Sequence, residues 1–340
     1  MTGADPIPVS VLTGFLGSGK TTMLGHLLRQ PDFSRTAVII NEFGEIGLDH
    51  ELIETSEDSI VALTTGCLCC KVRTDLSQTL QDLLRRRDEG SCSPFDRVVI
   101  ETSGLADPAP ILHALMTDPI IAARLTLGSV VATVDTVNGL ATLKREAVSR
   151  KQIAVADRVV LTKLDFAEGQ TEAALRGRIA DLNAGAPTLR AVHGCIESTG
   201  LFDAALWDRN TGAPEFDARL AKAREHGHHS HDSEITTYAV LRTAPIQAVA
   251  LTLFLEALAE HCGADLLRLK GIMSIAESPD RPAVIHGVQH VFHAPAWLDR
   301  WPSADHRSRM VFITRSIPQR WVEVLLDAIG AEVADVSVRA

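Results

Sequence analysis

The sequence predicts an α/β domain with a mainly parallel sheet flanked by helices, joined to a smaller C-terminal α+β domain. Three observations carry that prediction. First, short β-type runs such as VSVLTG, AVIIN, RVVIE and RVVLT each stop at a polar or glycine-bearing segment, as buried parallel strands do when they deliver polar residues to one sheet edge. Second, helical spacing follows the first run, with Leu24, Leu27 and Leu28 on one face, and returns over residues 171–182 before a last strand at 187–192. Third, from residue 235 the order becomes strand (235–242), helix (246–261), strand (265–276), two short strands around 283–294, strand (309–315) and helix (318–329). That order suggests helices covering one face of a sheet. At 340 residues the chain is long enough for two domains, which ordinarily run to roughly 100–200 residues each. The expected division is 1–205, a linker at 206–234, and 235–340.

Composition narrows the function. The chain is 46% hydrophobic, enough for a buried core, and 43 Asp+Glu against 33 Lys+Arg leave a formal charge of −10. No basic run is long enough to act as a phosphate-backbone patch, so nucleic acid is not an expected partner. The N-terminus lacks a charged segment followed by an uninterrupted apolar core, and the later stretch IIAARLTLGSVVATV is broken by Arg124 and too short to span a bilayer. A cytoplasmic protein without a membrane partner is expected. In that reducing compartment structural disulfides are rare, so clustered cysteines lean towards metal binding or catalysis.

The first chemical motif follows the first strand. Gly14, Gly19, Lys20 and Thr21 fit G-x-x-x-x-G-K-[ST] between a strand and a helix, the context this phosphate-binding loop, or P-loop, needs. Its glycines let backbone N–H groups wrap the phosphates, Lys20 reaches the β and γ phosphates, and Thr21 Oγ1 ligates Mg²⁺. Gly17, Ser18 and Thr22 complete the candidate nucleotide loop. Further on, RVVIETSGLADPAP carries Glu101 to the end of a strand, where it is placed to hold Mg²⁺ directly or through water, and Gly104 leaves room for backbone to approach the γ phosphate. Lys20, Thr21 and Glu101 are the candidate catalytic residues.

The purine is read from RVVLTKLD, where Thr162, Lys163 and Asp165 match the N/T-K-x-D element of GTPases. A carboxylate accepts from guanine N1–H and N2–H₂, whereas adenine offers no such donor pair and would leave the buried Asp unpaired. GTP and GDP are therefore the expected nucleotides.

The stretch TTGCLCC places three of the six cysteines, Cys67, Cys69 and Cys70, within four positions. Cys67 and Cys69 are two apart, so an extended backbone points both thiols to one side. Cys70 turns in where the chain bends into a helix. Thiolates are soft ligands suited to Zn²⁺ or Cu⁺, and Lys71 and Arg73 favour the deprotonated form. Two other readings stay open: a redox pair, since Cys67 and Cys70 have C-x-x-C spacing, and cysteines that merely pack. Cys92, Cys195 and Cys262 are isolated and read as small buried hydrophobes.

In this order, GFLGSGKTT, NEFGEIGLD, TTGCLCC, ETSGLADP and TKLD resemble the CobW-like branch of the G3E P-loop GTPases, a metallochaperone family marked by a C-x-C-C motif. The resemblance is strong over the first ~200 residues. It extends more loosely through LLRLKGIMSI, a late tryptophan and SRMVFITR. It implies a GTP-hydrolysing fold coupled to delivery of Zn²⁺, in some members Co²⁺, to a client apo-metalloprotein. It puts the C-x-C-C motif on Cys67, Cys69 and Cys70 and the switch glutamate on Glu42; His113 and Asp118 lie near the position where relatives offer a further ligand. A cobalt carrier for corrin synthesis or a cobalt enzyme, and a metal-sensing regulatory GTPase, are the alternatives. Monomer and nucleotide- or metal-dependent dimer both stay open.

Two features lie downstream. REHGHHSHD sets His226, His228, His229 and His231 in a polar tract that reads as an exposed, histidine-rich linker, whose imidazoles would capture zinc or cobalt weakly. Trp297, Trp301 and Trp321 read as core or hinge packing.

Overall fold

The computed structural model describes residues 6–42, 60–64, 69–167, 169–196, 201–202, 221 and 234–339, of which 41–42, 60–64, 69–75 and 337–339 are described by backbone alone. These residues fall into two compact units, one within Met1–Arg178 and Ala186–Ala205, the other within Ile179–Gly185 and Leu206–Ala340.

The first unit is a seven-stranded sheet of β1 (Ile7–Gly14), β2 (Thr36–Glu42), β3 (Ile60–Thr64), β4 (Arg97–Thr102), β5 (Leu125–Asp135), β6 (Arg158–Thr162) and β7 (Thr188–Arg190), ordered β3-β2-β4-β1-β5-β6-β7. Every pairing is parallel. Parallel neighbours need crossovers, and these are supplied by α1 (Lys20–Leu28), α2 (Cys69–Asp88), α3 (Ala109–Thr117), α4 (Pro119–Ala122), α5 (Gly139–Arg145), α6 (Ala147–Val155) and α7 (Gly169–Leu182). Leu12, Val38, Ile40, Val99, Val131 and Val160 pack with Met23, Leu24 and Leu27 of α1. Val11, Ile39 and Ile100, alternating with them and facing the other way, are equally buried. Burial of both faces explains why these strands read as continuous apolar runs. The apolar stretch weighed above as a membrane candidate supplies the eleven-residue β5. Among the described residues no helix is long and apolar enough to cross a membrane.

The second unit is an antiparallel sheet, β11-β10-β9-β13-β8, with β12 paired to β10. Its strands are β8 (Ile235–Arg242), β9 (Leu266–Ile275), β10 (Ser278–Val288), β11 (Val291–Phe292), β12 (Ala296–Trp297) and β13 (Ser308–Arg315), and its helices are α8 (Ala248–Cys262) and α9 (Gln319–Arg339). Leu251, Phe254 and Leu258 of α8, with Val322 and Leu326 of α9, bury against Tyr238, Leu269, Met273, Met310 and Phe312. Tyr238 and Phe312 stack at 5.4 Å. Three expectations are corrected here. Two strands do lie around 283–294, but the first, β10, is long and starts at Ser278, with a register shift between Ser278 and Ala283; Pro279 and Pro282 lack the N–H a regular ladder needs there. The last helix runs to Arg339 rather than 329, because Gly330 sits in helical backbone without ending it. Trp297 and Trp321 are also not core residues: they are 43% and 39% exposed. Trp301 stacks on His306 at 4.8 Å and donates to Pro279 O. The expected histidine linker lies outside the described residues, apart from residue 221 within it and residue 234 at its end.

Candidate functional site

The site forms at the carboxyl edge of the parallel sheet, where β1 lies between β4 and β5 and the chain order reverses. Sterics shape the loop leaving β1. Gly14 has φ +142°, and a Cβ there would stand 2.4 Å from Thr133 Oγ1. Gly17 (φ +67°) and Gly19 (φ +87°) adopt left-handed backbone, which side-chain-bearing residues rarely do. Ser18 Oγ and Thr133 Oγ1 share a 2.7 Å hydrogen bond that ties the loop to β5. Lys20 is 8% exposed and donates to Gly14 O at 3.0 Å and Phe15 O at 3.3 Å, folding its ammonium over the loop. Thr22 is exposed one residue past Thr21.

Thr21 and Glu101 meet. Thr21 Oγ1 donates to Glu101 Oε1 at 2.6 Å, across 80 residues of sequence, because α1 begins and β4 ends at this edge. Glu101 is 1% exposed. Gly104 follows three residues later, and a Cβ on it would lie 2.6 Å from Leu16 N. The loop after β4 therefore touches the phosphate-type loop through backbone, where only glycine fits.

The TKLD segment closes on the same loop. Thr162 Oγ1 donates to Ser18 O at 2.7 Å. Lys163 takes φ +56° and reaches Asp135 Oδ2 at 2.8 Å. Asp165 is the middle residue of the 3-10 turn Leu164–Phe166, and its Oδ2 lies 3.4 Å from His193 Nδ1. A cavity of about 240 Å³ borders Gly17, Ser18, Thr133, Asp135, Asn138 and Lys163.

Asp135 is the main residue that motif reading missed. It ends β5, as Glu101 stands one residue from the end of β4, and its signal is in the sequence: VVATVD is another apolar run terminating in a carboxylate. It accepts hydrogen bonds from Val137 N (2.7 Å), Asn138 N (3.2 Å) and Asn138 Nδ2 (3.0 Å) as well as from Lys163. Burial pushes its pKa up, but Lys163, Asn138 and the two amides outweigh that and hold the carboxyl below its ordinary value.

Of the metal-site residues, Cys67 lies outside the described residues, and Glu42, Cys69 and Cys70 are described by backbone. Glu42 closes β2 and pairs in register with Thr64, the last residue of β3. Cys69 and Cys70 open α2. Among the described residues no three His, Cys, Asp or Glu side chains gather to hold a metal. Asp118 is occupied as the cap of α4, accepting from Ile120 N and Ile121 N, and it also accepts from Gln81 Nε2. His113 is buried within α3. Cys195 is not the buried hydrophobe expected: it is exposed, with Sγ 3.6 Å from His26 Nδ1. Cys92 and Cys262 are half-buried.

A phosphate-type loop, a paired Thr and Glu behind it and a TKxD turn on one parallel-sheet edge define a P-loop NTPase fold of the GTPase type. The chain belongs to the CobW family: residues 8–190 match the CobW/HypB/UreG nucleotide-binding domain and residues 235–330 match the cobalamin synthesis protein cobW C-terminal domain. It is 36% identical over 315 residues to the zinc chaperone YjiA of Escherichia coli strain K12, covering 93% of this chain and 96% of that one. It is 30% identical over 304 residues to the zinc chaperone CobW of a Sinorhizobium species, covering 81% and 83%. The crystal structure of Zn(II)-bound YjiA GTPase from E. coli aligns with a TM-score of 0.69 at 28% identity, covering 96% of this chain and 99% of that one. The expected G3E P-loop fold with a C-terminal CobW-type domain is therefore correct.

Proposed function

We propose that this protein is a Mg²⁺-dependent GTPase that carries Zn²⁺ at Cys67, Cys69 and Cys70 with Glu42 and delivers it to a client apo-metalloprotein. The observation that supports the reading is the single sheet edge shared by the phosphate loop, the Thr21–Glu101 pair and the β2–β3 register, in which Glu42 pairs with Thr64, three positions before Cys67 in sequence. The names of its relatives, zinc chaperones, support zinc as cargo. The domain division proposed with it is 1–205, 206–234 and 235–340.

Gly14, Gly17, Ser18, Gly19 and Thr22 would line the phosphates with backbone and hydroxyl donors. Lys20, now bonded to two loop carbonyls, would turn to the β and γ phosphates and clamp developing charge. Thr162, Lys163 and Asp165 would read guanine. Thr21 Oγ1 and Glu101 Oε1 are hard oxygen donors 2.6 Å apart beside the loop, a fit for Mg²⁺, which when bound neutralises phosphate charge. Coupling follows from linkage: if GTP biases the segment carrying Glu42, nucleotide and metal must alter each other's affinity by the same factor.

The test is competitive affinity for Zn²⁺ and Co²⁺ in the presence of Mg²⁺ with GDP or a non-hydrolysable GTP analogue, on wild type and Cys69→Ser. The analogue is expected to change Zn²⁺ affinity by about tenfold or more, a coupling of the usual allosteric size, and Cys69→Ser to abolish tight binding. Equal Zn²⁺ affinity in both nucleotide states, or indifference to Cys69, overturns the carrier reading.

A further inference from the structure

One buried polar group outside the motifs contacts the loop after β4 twice. Gln152 on α6 is 1% exposed. Its single Nε2 donates both to Gly104 O at 3.2 Å and to Ala106 O at 3.1 Å. Its Oε1 is buried and accepts no hydrogen bond among the described residues. An apolar side chain of similar size would fill the space without orphaning an acceptor. The amide is therefore explained by its donors. The adjacent Lys151 holds the other end of the same loop, its Nζ 2.9 Å from Asp107 Oδ2, while Asp107 Oδ1 accepts from Ala109 N and starts α3.

This loop is not remote from the nucleotide loop. Gly104 lies so near Leu16 that a Cβ could not be inserted. Glu101, at the strand end leading into it, is the partner of Thr21. Gripping the carbonyls of residues 104 and 106 fixes the 104–105 and 106–107 peptides, and through them limits the rotation of Gly104, whose N–H a third phosphate would meet. We propose that Gln152, assisted by Lys151, is a positioning residue that sets this loop to recognise the γ phosphate, so that α6 decides how well GTP is told from GDP. The inference rests on the guanine-nucleotide reading above.

The experiment measures affinity for GDP·Mg²⁺ and for a non-hydrolysable GTP analogue with Mg²⁺, together with kcat, on the full chain as wild type, Gln152→Met and Lys151→Met. Gln152→Met is expected to leave GDP affinity within about twofold while analogue affinity and kcat fall about tenfold, the order of one or two hydrogen bonds no longer preorganised. Lys151→Met is expected to show the same selectivity, more weakly. A variant equal to wild type on both nucleotides, or one weakened equally for both, overturns the proposal, the latter because a merely structural glutamine behaves that way. If Gln152→Met does not fold, Lys151→Met, altered at a partly exposed side chain, decides by the same criterion. If the wild type binds neither nucleotide, the guanine reading fails and this inference with it. A wild type that binds both, beside variants that do not discriminate, isolates failure of this inference alone.

Discussion

Asp135 shows how much chemistry one strand end holds. Its carboxyl is kept below the ordinary value because hydrogen bonds from Lys163, Asn138 and two amides overcome the burial that opposes ionisation. A depressed folded pKa means that the unfolded chain takes up protons first as the solution is acidified. The stabilisation is complete above the unfolded value of about 3.9 and is lost as pH falls through the folded value. The slope of stability against pH, from denaturant unfolding between about pH 5 and 3, is therefore expected to be shallower in Asp135→Asn than in wild type; an unchanged slope contradicts the assignment. Thr162 makes a second residue-scale case. It is 4% exposed and its hydroxyl satisfies Ser18 O. Thr162→Val keeps the shape and orphans that carbonyl, at a cost of about 1–2 kcal/mol. Guanine-nucleotide affinity should fall as well, as calorimetry on the folded variant would measure, because the TKLD turn loses its tie to the phosphate loop.

Elements obey the same physics with different visibility. Parallel strands that are buried on both faces announce themselves as apolar runs, which is why β1, β2, β4 and β6 were legible. The start of β10 is not, since Pro279 and Pro282 interrupt its pattern and its pairing with β9 shifts register there. The last helix runs past the expected end at 329, through a glycine, although glycine commonly stops helices. At Gly330 the backbone stays helical and a Cβ would meet nothing within 4 Å. Gly330→Ala is therefore expected to stabilise by about 0.5–1 kcal/mol, through reduced freedom of the unfolded chain and better helix propensity. A raised Tm checks this; a lowered one would mean that the glycine has a packing role.

At the scale of the whole molecule, each unit carries its own core, and the residues proposed to bind nucleotide all belong to the first. Phe254, fully buried in the second core, is expected to cost about 3–5 kcal/mol as Phe254→Ala. In the folded fraction GDP affinity should remain that of wild type, measured by titration at low temperature; a large loss would show that nucleotide binding needs an intact second unit. The sequence by itself determined the fold class, the phosphate loop, Glu101, TKLD and the cysteine cluster, since glycine geometry, thiolate softness and strand-end carboxylates leave local signatures in residue type and spacing. Only the tertiary structure decided that Thr21 reaches Glu101, that Asp135 anchors Lys163, that Glu42 stands in register with the end of β3, and that Gln152 grips the loop at Gly104. These are contacts between residues 22 to 80 positions apart. No local pattern encodes them, because the parallel sheet brings distant strand ends to one edge and only there do their side chains meet.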